Sequence, residues 1–169
     1  MHIANSTSIS DFKKNVVDAI THDDTIFYAF GADKDKYENG GDLIGTHILT
    51  YNKIPDTVET VSTYMTIMVH TKVFDSRYDR NKTFVIPRLE FYIYSHFKHM
   101  QMDREITKDN RCDYISMLID NMFNGSSEYG GIGELKLSLN EEGAYNKDFL
   151  YRHMVFETVD LNKSFCEYE

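Results

Sequence analysis

Hydrophobic and polar positions along this chain switch period several times, and each switch predicts an element. Ile9, Phe12, Val16, Ala19 and Ile20 recur at helical spacing, with Asp11, Lys13, Lys14 and Asp18 off that stripe. The spacing predicts a helix over 9–21 that covers a sheet. Ser8 and Asp11 read as a capping box at its start, with Asp in place of the usual Glu or Gln. The apolar run 25–30 reads as a short buried strand ended by Gly31. A polar stretch, 32–43, containing Asn39-Gly40-Gly41-Asp42, reads as a loop. Residues 44–51 fit either a short strand or irregular chain. Pro55, with Asp56 and Glu59, marks a short helix over 56–61.

The period then falls to two. Over 64–74, Met65, Ile67, Val69, Thr71 and Val73 share one face, and Thr66, His70 and Lys72 the other. A charged turn without glycine leads into a second long apolar-rich strand, 84–95, so the pair forms a long β-hairpin. Pro87 cannot donate to a ladder and marks an edge, a bulge or the strand's start. A polar loop follows over 102–110. In 112–124, Tyr114, Ile115, Leu118, Ile119, Met122 and Phe123 form a broad apolar stripe, with Asp113, Ser116 and Asp120 off it; Gly125 stands at C′. A glycine-rich loop, strands over 134–139 and 149–160, and a turn at Asn140-Glu141-Glu142-Gly143 complete the chain. The second half thus reads as a β-α-β-β module ending in an edge-like strand. The fold class is α+β: a mixed or antiparallel sheet with a long β-hairpin, flanked by an N-terminal helix and a second helix on one face. Residues 1–169 form a single domain, with a long irregular insertion around 32–61.

Composition narrows the function. A chain of 169 residues, 41 % of them hydrophobic, has enough apolar surface for a core without disulfides or metal. Its net charge of −9 and scattered Lys and Arg argue against duplex binding, which calls for a basic patch or stripe. The densest basic cluster, Arg77 to Lys82, is interrupted by Asp79. The aromatic set is 12 Tyr and 11 Phe without Trp, and Tyr suits interfaces because it buries a ring while keeping one end wet. Cys112 and Cys166 show no zinc or disulfide spacing, and Cys112 reads as a small apolar packer. No apolar run reaches membrane-spanning length, and no secretory signal pattern opens the chain. The expected setting is a reducing, aqueous compartment.

Signatures of catalysis are weak. His96 and His99 would share a face on a helix and diverge on a strand; the alternation before them favours a strand, and no third ligand stands at an obvious spacing. The adjacent acids Asp23-Asp24 and Glu141-Glu142 diverge or lie in turns, which is poor geometry for paired carboxylates. Gly130-Gly131-Ile132-Gly133 lacks the Lys-Ser or Lys-Thr sequel of a phosphate cradle. No Gly-x-Ser-x-Gly elbow occurs. Met100 and Met102 fit either an adaptable contact surface or core filling at a strand end. The expectation is a protein that is not an enzyme and needs no cofactor or metal.

The layout resembles the tail-terminator and tail-completion (neck) proteins of tailed bacteriophages. The matching pieces are the helix 9–21, the hairpin 64–95, the helix 112–124 and the closing strands 134–139 and 149–160. The segment 32–61 is longer than that pattern. The resemblance implies a structural virion protein made in the host cytoplasm. It would form a ring, commonly a hexamer, capping the tail tube and docking to the head connector. An acidic ring would let DNA pass without binding it, because carboxylates repel phosphates. Head-to-tail rings need two complementary patches per subunit. The candidates are the hairpin tip (Arg77, Tyr78, Arg80) and the loop bearing Met102, Asp103 and Arg104. The alternatives are another head-to-tail connector, a small metal-dependent hydrolase using His96, His99 and Asp103, and a monomeric accessory protein binding through its aromatic surface.

Overall fold

The computed structural model describes residues 6–57, 60–75, 83–129 and 133–158. Among the described residues, three α-helices pack on a five-stranded mixed sheet, so the α+β expectation holds. The elements are α1 (Ser6–Thr21), α2 (Asp24–Ala29), β1 (Ile48–Leu49), β2 (Thr63–Asp75), β3 (Thr83–His96), α3 (Arg111–Phe123), β4 (Lys136–Ala144) and β5 (Phe149–Glu157). The sheet order is β1-β2-β3-β5-β4; only the β1–β2 pair is parallel.

The helical stripe of α1 buries Phe12, Val16, Val17 and Ile20. Ser8 lies inside this helix, which already runs from Ser6, so the expected capping box does not start it. The run 25–30 is helical, not a strand. Asp23 Oδ1 accepts hydrogen bonds from the backbone N–H groups of Thr25 and Ile26, satisfying orphan donors at the start of α2. A short apolar run has no periodicity that separates a strand from a buried helix, and here the cap decides.

β2 and β3 pair without interruption from Thr63↔Ser95 to Asp75↔Thr83, confirming the long hairpin. β5 pairs with β3 only from Arg88 to His96. Pro87 therefore sits where β3 passes from two neighbours to one, and its carbonyl accepts the last bond, from Thr158 N–H. Beyond it the hairpin projects as a two-stranded arm.

The closing strand is not an edge. β5 lies between β3 and β4, and its Met154, Val155 and Phe156 are all buried. The edge is β4, which runs to Ala144 and absorbs the segment 140–143 expected to turn. The turn falls after Tyr145, where Asn146 Oδ1 accepts from the N–H groups of Asp148 and Phe149.

Leu89, Phe91 and Ile93 of β3, with Met65 and Ile67 of β2 and Met154 and Phe156 of β5, face the helices and form the main core. From α3 come Cys112, Ile115, Ile119 and Phe123. Ser116, expected on the polar side, is also buried; its hydroxyl donates to the Asp113 carbonyl, which lets it enter an apolar layer. Gly125 takes φ +81° just after the helix, as its C′ position demands. The segment 32–57 adds Leu43, Ile48 and Leu49 to buried positions. Its expected helix is reduced to a single 3₁₀ turn, Pro55–Thr57, and Glu59 lies outside the described residues.

Candidate protein-interaction face

The expected interface residues divide. Arg77, Tyr78 and Arg80 lie outside the described residues. Met102 is half-buried against the main core, so core filling is its structural role here. Asp103 and Arg104 are exposed beside it. Asp103 Oδ1 accepts the Glu105 N–H at 3.0 Å, and its carbonyl accepts from Ile106 and Thr107, which fixes this loop as a compact turn.

The two histidines of the metal reading are held locally. His96 ends β3, and its Nδ1 accepts the Lys98 N–H to open the 3₁₀ turn Phe97–His99. The expected strand geometry therefore ends at His96 and does not extend to His99. His99 turns inward, where Nδ1 lies 2.8 Å from the Thr63 hydroxyl; that hydroxyl also lies 2.7 Å from Ser95 Oγ. Burial, with help from the nearby Arg111 charge, lowers His99 to about 4. His47 donates from Nδ1 to the Thr63 carbonyl, and burial lowers its pKa too. Among the described residues, no group of three or more His, Cys, Asp or Glu side chains is placed to hold a metal ion. Cys112 is buried, its thiol facing the Ile93 carbonyl at 3.6 Å, and burial pushes it up to about 12. It packs, as expected; Cys166 and residues 130–132 lie outside the described residues.

Glu141 and Glu142 sit on β4 rather than in a loop, and their side chains leave opposite faces. Glu142 pairs with Arg152 at 3.3 Å on the helix side, where Arg152 also binds Asp113 of α3. These groups line an open cleft of about 330 Å³ between the start of α3 and the β4–β5 pair. The guanidinium is already neutralised by two carboxylates, so the cleft reads as a packing joint.

The other face of the sheet carries no helix among the described residues, and it is aromatic. Alternation along β3 places Glu90, Tyr92 and Tyr94 there; along β5 it places Phe149, Tyr151 and His153. Tyr64, Tyr94, Phe149 and Leu49 form a second buried cluster at one end of this face. Residues 53–56 brace that end: the Tyr64 hydroxyl donates to the Lys53 carbonyl, and the Tyr145 hydroxyl donates to Asp56 at 3.0 Å. Burial, first, and neighbouring tyrosines raise Tyr94 to about 12.

Towards the hairpin, the face becomes charged. The Tyr92 ring stacks on the His153 imidazole with centroids 4.0 Å apart and planes within 5°. His153 Nδ1 lies 3.5 Å from Glu141 and its Nε2 3.9 Å from Glu90, while His70 Nε2 approaches the same Glu90 oxygen at 3.6 Å. A row His70–Glu90–His153–Glu141 thus crosses β2, β3, β5 and β4. Burial, followed by Glu90, Tyr151 and Glu141, raises the Tyr92 pKa. Two buried polar atoms in this layer, Thr66 Oγ1 and His153 Nε2, have no hydrogen-bond partner. No sequence motif marked this row, but the period-two alternation along 88–95 and 149–156 carries it.

The sequence model of the YomW family matches residues 14–158, and the chain belongs to that family. The match spans the whole sheet and all but the first turns of α1. The family name is of the SPbeta-prophage type, which makes this a phage-related protein. No curated protein matches the chain, and no solved structure does. Among the described residues, no helix is long and apolar enough to cross a membrane.

Proposed function

We propose that this chain is a structural, non-enzymatic virion protein that works by assembling with other chains, in the manner of a tail terminator. Several copies would close into a ring, commonly of six, which caps the tail tube and docks to the head connector. The observation that carries this reading is the hairpin arm. β2 is 13 residues long and β3 is 14, yet β1 pairs only with Met65 and Thr66 and β5 stops at Arg88. Both ladder edges of the arm are thus free of partners within the described residues, and free edges of this kind favour pairing with another chain. Phage-related family membership agrees with a virion role. A connector at another level of the head–tail joint would use the same arm.

The solution mass, measured by light scattering over a concentration series, tests this. A discrete multiple of 19.8 kDa is expected, and replacing Arg77 and Arg80 with Glu should lower it. A strict monomer at every concentration would overturn the self-assembling ring. An unchanged ring in the double variant would move the contact away from the hairpin tip.

A further inference from the structure

We infer that the helix-free face of the sheet docks an arginine-bearing segment of a partner protein, with Glu90, Glu141, Tyr92 and the Tyr151 edge as the receiving surface. The inference does not rest on ring assembly, since every residue it uses belongs to one chain.

Charge comes first. This part of the face carries Glu90, Glu141 and Glu157; Arg88 already pairs with Glu157 and Glu90, and Lys136 stands opposite Glu157 in the β4–β5 register, while Glu141 meets no lysine or arginine among the described residues. Nucleic acid is repelled by such a surface, whereas a basic protein segment is drawn to it. Shape and polarity come second. Tyr92 and His153 lie flat on one another, and a planar guanidinium stacks on such rings while its edge donates to carboxylates. An ammonium is a point charge and meets only one of these groups at a time. The face also leaves one polar atom unsatisfied near its surface: His153 is 9 % exposed with Nε2 unpartnered beside Glu90. A donor reaching Glu90 from above would draw its carboxylate into a shared network with His153.

The test is fluorescence anisotropy of a fluorescein-labelled hexa-arginine peptide titrated with the full chain at low ionic strength. Binding is expected, and hexalysine should bind more weakly. Glu90→Gln and Glu141→Gln should each weaken hexa-arginine binding about fivefold, the size of one partly exposed charge pair. Glu141 is 55 % exposed, so its replacement leaves the fold intact even if Glu90→Gln disturbs β3. A control pair, Asp35→Asn with Glu38→Gln, removes two charges from an exposed loop and should change binding by no more than about twofold. Absence of binding would overturn the inference. Equal loss in the control pair would also overturn it, because the attraction would then belong to the net charge and not to this face.

Discussion

The Thr63 hydroxyl lies 2.8 Å from Nδ1 of His99, in a buried polar knot that ties β2 to the end of β3. Burial and Arg111 hold the folded His99 near 4, against an ordinary value of 6.5 in the unfolded chain. Between those values the unfolded state binds more protons, so stability must rise with pH across that window. The full contribution is present above pH 6.5 and is lost as pH falls towards 4. His47, lowered in the same direction, adds to the slope. Thermal melts across this range should show a falling midpoint, and His99→Gln should flatten the slope. A wild-type midpoint independent of pH over this window would refute the assignment.

Asp23→Ala should destabilise the protein by about 1 kcal/mol, the usual cost of removing an N-cap side chain. Chemical denaturation would measure it, and Asp23→Ser should recover most of the loss. The same residue explains why α2 was illegible as a helix. Its six residues are too few to show a 3.6-residue period, and Thr25, Ile26, Phe27 and Tyr28 all favour strands. Only the cap and the close packing of Ile26, Phe27 and Ala29 separate the two readings.

Gly40 looked like ordinary loop punctuation, but the structure gives it a tighter role. A Cβ at this position would stand 2.1 Å from the Thr21 carbonyl oxygen, at the end of α1. The obstacle is backbone and cannot swing aside. Gly40→Ala should therefore cost about 1–3 kcal/mol by overpacking. Gly41→Ala, where the nearest atom is the movable Asn39 side chain at 2.9 Å, should cost less. Equal effects in a denaturation series would show that loop flexibility, and not the close approach, governs both.

Long periodic segments were legible: α1, α3 and the hairpin appear where the pattern places them, because each buries a continuous stripe. Strand order was not. Nothing local in Phe149–Glu157 states that it inserts between β3 and β4; register with β3, from Arg88↔Glu157 to His96↔Phe149, is a long-range property. The Glu90–His153 contact depends on that insertion, so the charged row stayed hidden while its residues were in plain view. The α3 side of the sheet gives a sharp test of the resulting core. Phe123 stacks on Phe91 at 5.5 Å and meets Phe156 edge-on at 6.2 Å, joining α3 to β3 and β5. Phe123→Ala should cost about 3–5 kcal/mol, while Phe123→Leu should recover a large part. If β5 were instead the edge strand, the alanine variant would lose far less.

Arg111 separates geometry from charge in the polar knot. Its guanidinium donates to the carbonyls of His99 at 2.7 Å, Gln101 at 3.3 Å and Ala29, joining α3 to α2 and to the turn after β3. Among the described residues, no carboxylate pairs with it, so a buried cation rests on carbonyl dipoles alone. Arg111→Met would leave those acceptors without a donor, and a loss of about 2 kcal/mol or more is expected. It would also remove the positive charge that, after burial, does most to lower His99. The folded His99 should then titrate closer to its ordinary value, and the acid-side decline in stability should level off at a higher pH than in the wild type. Arg111→Lys keeps the charge and loses the fork. It should be destabilised as well, yet its decline should continue towards the wild-type limit near 4. Following the His99 ring protons by NMR in both variants decides the matter. A His99 titration unchanged in Arg111→Met would mean that burial alone keeps this ring neutral.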